Sequence, residues 1–192
     1  MTTFSRSQAW QIVCDYVQNI NLRRHMLAVE AAMVWYAEKF GEDGETWAVT
    51  GLLHDFDWEI HPTLDQHPQA GAPILRELGV PEEIVHAVLT HASHLALPRE
   101  TLLQKALFAC DEITGLVTAA ALVRPTRSVY DVEIDSVRKK WGQKAFAAGV
   151  NREEVAEGAK LLGIDLWEHV GNVILAMQAR AESLGLARVK GD

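Results

Sequence analysis

The sequence predicts an all-α fold, a compact multi-helix bundle with a metal site between its helices. Two observations carry the helical prediction. Apolar residues recur at three- and four-residue spacings along most of the chain, with capping residues and prolines punctuating the runs. No segment alternates apolar and polar residues with the two-residue period of a strand. A third observation, polar residues on inward-facing positions, points to the metal site.

The elements follow in order. Ser5 or Ser7 is placed to cap QAWQIVCDYVQNI, and Asn21 to cap LRRHMLAVEAAMVWYAEKF, which stops at Gly41. Asp43 precedes GETWAVTGLLHDF. Pro68 and Pro73 imply a short or broken helix before Gly79, Pro81 sits in the first turn of PEEIVHAVLTHAS, and Pro98 opens a run reaching Val123. RPTRSVYD reads as a loop. Two or three more helices complete the chain, notably NREEVAEGAKLLG and DLWEHVGNVILAMQARAESLG, the latter stopped by Gly185. Without repeats, low-complexity tracts or linkers, residues 1–192 read as one domain, with a core over about 20–120 and a helical extension over about 121–192.

Composition narrows the function. With 48% apolar residues in 192, the chain can bury one sizeable core. Cys14 and Cys110 lie inside helical patterns rather than at paired spacings, and the N-terminus has no signal-peptide pattern. The longest apolar stretch, around GLVTAAALV, falls far short of the roughly 18 residues that span a bilayer. The expectation is a cytoplasmic protein away from membranes. A net charge of −8 argues against broad nucleic-acid binding. Residues 121–144 are the exception, with Arg124, Arg127, Arg138, Lys139, Lys140 and Lys144 against Asp131, Glu133 and Asp135. This segment is either a solvated face or a basic rim for a small anionic substrate. No feature specifies an oligomeric state.

The histidines separate by helical position. Leu22, His25, Met26, Val29, Met33 and Tyr36 form one stripe, so His25 points inward with the apolar residues. Ile84, Val88, His91 and Leu95 share a face, so His91 points inward, whereas His86 lies about 200° around and faces water. Asp111, among Leu107, Phe108 and Gly115, places a carboxylate on an apolar face, where an unpaired charge would be costly. His54 and Asp55 stand side by side with Gly51 one turn earlier, a residue with no side chain to obstruct an approaching group. Imidazoles and carboxylates projecting inward from several helices form a shell that a divalent ion accepts, and its charge would account for Asp55 and Asp111. His61, in an irregular loop, and His169, on a separate helix, are given no site role.

The order His25, His54-Asp55, His91, Asp111 on a helical chain resembles the HD superfamily of metal-dependent phosphohydrolases, over about residues 20–120. The resemblance implies that His25, His54, Asp55 and Asp111 hold a metal ion. HPQAGA and AVLTHAS are similar to segments that supply further histidines in HD-type dinucleoside tetraphosphate hydrolases and HD-GYP cyclic dinucleotide phosphodiesterases; the matching positions are His67 and His91. The resemblance thus implies a second ion on His67 and His91, with Asp55 bridging the two. His94 is a further ligand or a pocket residue. Residues beyond 120 carry only a looser likeness, in their VRP, SV and KK segments, to small HD proteins.

The implied cofactor is one or two divalent ions of manganese, iron, zinc, cobalt or magnesium. The implied reaction is hydrolysis of a phosphate ester or anhydride, on a phosphomonoester or phosphodiester that includes nucleotides, by hydroxide generated at the metal. Many HD proteins follow the pair with an Ile-Gly-Lys-like stretch; here it is Phe56-Asp57-Trp58-Glu59, so phosphate-binding cations must come from elsewhere. Lys105, Arg124, Arg127, Lys139 and Lys140 are the candidates. Asp57, ahead of Glu59, is the candidate proton relay. Trp47, Trp58 and Tyr130 are candidates to stack on a base. Two rival readings stand beside this one: an HD-type diiron oxygenase of a small phosphonate or polyol, and a nonenzymatic helical sensor with a structural metal site.

Overall fold

The computed structural model describes residues 4–188 of the 192. Nine α-helices form there, and no strand is present among the described residues: α1 (Arg6–Tyr16), α2 (Ile20–Phe40), α3 (Gly44–Leu53), α4 (Gly71–Glu77), α5 (Glu82–His91), α6 (Leu102–Leu122), α7 (Ile134–Trp141), α8 (Arg152–Leu161) and α9 (Leu166–Gln178). No helix among the described residues is long and apolar enough to cross a membrane.

Most helices start where a side chain satisfies the free N–H groups of the first turn. Ser5 and Gln8 form a reciprocal capping box on α1, and Asp43 caps α3 through the N–H groups of Glu45 and Thr46. α2 begins earlier than the sequence implies, because Asn19 rather than Asn21 accepts from the backbone of Asn21 and Leu22. α6 begins later than Pro98, at a capping box of Thr101 and Gln104. α9 ends at Gln178, and turns carry the chain on to Gly185.

Two apolar clusters hold the helices together. One joins Val13 of α1, Leu52 of α3, Leu75 of α4 and Val88 of α5, together with Phe56. The other joins Met33 and Tyr36 of α2 to Ile113 and Leu116 of α6, and to Val137, Val155 and Val173 of α7, α8 and α9. α2 serves both, through Met26 on one face and Val29, Met33 and Tyr36 on the other. The C-terminal helices are anchored to this centre by His169. Its Nε2–H donates to the Ala109 carbonyl (2.9 Å), and its Nδ1 accepts from the Tyr36 hydroxyl (2.5 Å). Burial pushes this imidazole down to about 4, so it stays neutral as a fixed strut between α2, α6 and α9.

Helices α2 and α3 cross very closely, and Gly51 makes that possible. A Cβ at Gly51 would lie 2.8 Å from the Cα of Glu30 and 2.9 Å from its backbone nitrogen. The missing side chain therefore makes room for the α2 backbone, not for a group approaching His54 and Asp55 as the sequence implied. Because α2 carries His25 and α3 leads into His54 and Asp55, this crossing sets the distance between them. Gly51→Ala is expected to push the helices apart and cost about 1–3 kcal/mol of stability. Chemical denaturation together with metal titration checks this: unchanged stability and unchanged metal affinity would show that the crossing does not set the site.

Candidate metal centre

Four helices deliver the site. His25 stands in the second turn of α2, His54 caps the C-terminus of α3 with Asp55 next to it, His91 is the last residue of α5, and Asp111 is mid-way along α6. His67 comes from the turns before α4. On one side His25 Nε2 lies 3.1 Å from His54 Nε2 and 3.1 Å from Asp111 Oδ1. The same two imidazoles lie 3.6 and 3.4 Å from Asp55 Oδ2. On the other side Asp55 turns its Oδ1 to His67 Nε2 at 3.2 Å and His91 Nε2 at 3.6 Å, and these two nitrogens are 3.4 Å apart. Asp55 is thus shared, one oxygen to each group.

The tautomers are set by the backbone and by two side chains. His54 Nδ1–H donates to the Gly51 carbonyl (2.9 Å) and His91 Nδ1–H to the Val88 carbonyl (2.5 Å), each an acceptor that a helix end leaves without an intrahelical partner. His67 Nδ1–H donates to Asp57 Oδ1 at 2.8 Å. The Thr114 hydroxyl gives its hydrogen to the Asp111 carbonyl (2.8 Å), so toward His25 Nδ1 (3.4 Å) it can only accept. Each ring therefore spends its Nδ1 hydrogen outward and aims an Nε2 lone pair at the centre.

Lone pairs facing each other across 3.1 and 3.4 Å need positive charge between them. Ligands bound at about 2.0–2.2 Å in tetrahedral or octahedral geometry stand about 2.8–3.6 Å apart. The observed spacings of 3.1–3.6 Å match that range on both sides of Asp55. The two groups His25, His54, Asp55 and Asp55, His67, His91 are each compact enough to hold one ion, and Asp111 Oδ1 completes the first. The residues fit divalent metal.

Electrostatics give the same answer. Burial opposes charge on His54, yet the attraction of Asp55 and the hydrogen bonds with Asp111 and Asp55 hold its pKa well above the ordinary value. Burial likewise opposes charge on His67, but Asp55 and Asp57 raise it to about 9. Desolvation would raise Asp55 and Asp111, and the surrounding imidazoles instead hold both well below the usual carboxylate range. The cluster demands cations, so metal and protons compete for the same nitrogens and metal uptake should release protons.

A cavity of 470 Å³ opens onto the centre, lined also by Trp58, Leu64, Ser93, His94, Glu112, Val150 and Glu154. The structure brings together all six expected ligands. His94 is exposed on the lip. Lys105 and Arg124 do not line the cavity, and Arg124, Lys139 and Lys140 share a separate depression with Asp131 and Glu133. Arg127 lines an adjoining groove instead. Asp57 is wholly buried beneath His67, so it orients that ring rather than relaying protons at a reacting group. Glu59 accepts from the backbone of Gln18 and Asn19 and ties the start of α2 in place. Trp47 is buried in the core, Tyr130 is exposed away from the cavity, and only Trp58 lies at the mouth, edge-on to His67. His86 is half-buried and accepts from Gln104 rather than facing water. Sequence reasoning did not single out Glu112, whose carboxyl is pushed up to about 7 by burial and by the charge of Asp111.

A helical bundle in which a histidine, an adjacent His-Asp pair and a later aspartate converge from separate helices defines a metal-binding class of fold. Comparison with known proteins specifies the family. Residues 22–116 match the family model described as HD domain, and the chain belongs to the HD family. Ribonuclease Y of Rhodopirellula baltica is 29% identical over 141 residues, covering 72% of this chain and 27% of that protein. Ribonuclease Y of Nitratidesulfovibrio vulgaris is 32% identical over 137 residues, covering 69% of this chain and 26% of that protein. The chain thus spans about a quarter of the length of these relatives. No solved structure matches it.

The Asp57–His67 pair allows the two halves of the centre to be addressed separately. Asp57→Asn removes the charge behind His67 and is expected to weaken one ion about 10- to 100-fold while sparing the ion on His25, His54 and Asp111. Competition with a metal chelator reads both affinities. Equal losses at both ions, or none, would contradict the assignment.

Proposed function

We propose that the chain is a metal-dependent phosphohydrolase acting on a small, anionic, phosphorylated substrate. The observation that carries this reading is the division of Asp55, whose two oxygens face two separate histidine pairs. That is the geometry of a bridging carboxylate. Divalent ions held by His25, His54 and Asp111 on one side of Asp55 and by His67 and His91 on the other would supply an acidified water and charge to offset the phosphoryl oxygens in the transition state.

The protein's own groups hold and orient. Asp55 sets the separation of the two halves, His25, His54 and Asp111 form one, and His67 and His91 form the other. Asp57 fixes the ring of His67 from below. At the mouth, Trp58 offers a partly exposed aromatic face, and His94 with Ser93 offers hydrogen-bonding groups at the lip. A compact cavity and an acidic chain favour a small ligand over a long polyanion. The relatives named Ribonuclease Y add support for phosphodiester chemistry, since a ribonuclease cleaves RNA at such linkages.

Hydrolysis consumes only water. Hydrolysis of a panel of phosphomonoesters, phosphodiesters and nucleotides, read as release of phosphate or of the nucleotide or alcohol product, is expected to depend on added manganese, iron, cobalt or magnesium and to run equally fast with and without oxygen. Activity that vanishes under strict anaerobiosis and returns with air would replace the hydrolase by the oxygenase. Metal-loaded protein that turns over nothing would favour the sensor.

A further inference from the structure

A second groove, of about 560 Å³, adjoins the metal cavity and is lined by Asn21, Arg24, Thr118, Leu122, Arg127 and Leu186. The two spaces share His25 and Gly115. Gly115 stands one turn beyond Asp111 on α6, and the absence of a side chain there leaves the passage open. From Asp111 to Gly115 and Thr118, where the groove begins on this helix, the axis advances about 6 and 10 Å, so a ligand with one end at the metal centre and the other in the groove spans more than a single phosphate.

The two spaces differ sharply in charge. Among the described residues no lysine or arginine lines the metal cavity, whose wall on the α6 and α8 side carries Glu112 and Glu154. The groove holds two guanidinium groups. Arg6, Arg76, Arg138 and Arg188 each pair with a carboxylate, whereas among the described residues neither Arg24 nor Arg127 does, and both are exposed.

Backbone geometry serves both arginines. Arg127 takes a left-handed φ of 51°, a conformation unfavourable for a residue with a side chain, and it lines the groove. Gly185, with a φ of 66°, leaves space that the Arg24 guanidinium occupies; a Cβ there would lie 2.7 Å from Arg24 Cζ. Apolar walls from Ala28, Leu122, Leu184 and Leu186 complete the groove.

We infer that this groove is a second substrate subsite, in which Arg24 and Arg127 bind an anionic group distant from the reacting phosphate while the apolar walls take the part between. The inference rests on the hydrolase reading and narrows it to substrates bearing two phosphates, such as a bisphosphorylated nucleoside or a short phosphodiester-linked nucleotide. A lone monoester fills only the metal cavity.

Two measurements test it. The first is the ratio of kcat/KM for adenosine 3′,5′-bisphosphate to that for adenosine 5′-phosphate. Wild type is expected to favour the bisphosphate at least tenfold, with Arg24→Gln and Arg127→Gln each lowering the ratio about tenfold, as loss of a charged hydrogen bond implies. Gly115→Leu, whose Cβ meets only Val150 at 3.4 Å, should narrow the passage and lower the ratio without touching either charge. The second is calorimetric binding of adenosine 3′,5′-bisphosphate to metal-free protein, expected to weaken about tenfold in each arginine variant. A ratio near one in wild type, or binding and ratio both indifferent to the two arginines, overturns the subsite. Arginine-dependent binding with no hydrolysis of any phosphomonoester or phosphodiester supports the subsite and overturns the hydrolase reading instead.

Discussion

Two pairs of imidazole nitrogens face each other across 3.1 and 3.4 Å, with the carboxylate of Asp55 between the pairs and Asp111 beside one of them. Such lone pairs repel unless positive charge lies in the gap, and the carboxylates add a demand for still more. Much of the surrounding architecture serves this constraint. α2 must approach α3 to within backbone contact to bring His25 to His54, so position 51 is glycine. α3 and α5 end at the centre, where their free carbonyls both fix the imidazole tautomers and favour a cation through the helix dipole.

Support behind the ligands differs between the two halves. The His25 half rests on a hydroxyl, Thr114, whose own hydrogen is committed to the backbone of α6. The His67 half rests on a buried carboxylate, Asp57. A carboxylate partner makes an imidazole more basic than a hydroxyl does, so the two halves need not bind metal equally tightly even though both share Asp55. This asymmetry follows from residues that never face the cavity.

The helices and the six candidate ligands were legible in the sequence, the helices and three of the candidates through local periodicity and the rest through the family resemblance. His25, His91 and Asp111 announce themselves as polar residues on apolar stripes, and the adjacent His54-Asp55 with the order of the rest carries the family resemblance. His67 was legible only through that resemblance, its two flanking prolines giving no helical position to argue from. What escaped depends on tertiary geometry. Asp57 lies ten residues from His67, and only the intervening turns bring them together. Arg24 sits one residue from His25 and so about 100° around the helix, off the stripe that drew attention inward. The basic segment 121–144 reads as a unit, yet the fold sends Arg127 to the groove and Arg124, Lys139 and Lys140 to a separate depression. The cap of α2 is Asn19 rather than Asn21, and Asn19 is also where Glu59 holds the backbone, a contact 40 residues away in sequence.

The central claim is that Asp55 bridges two metal ions. Anomalous diffraction from crystals equilibrated with manganese tests it directly. The account predicts two peaks flanking the Asp55 carboxylate, about 3.5–4 Å apart, one among His25, His54 and Asp111 and the other beside His67 and His91. A single peak at saturating manganese, or peaks remote from Asp55, would contradict it.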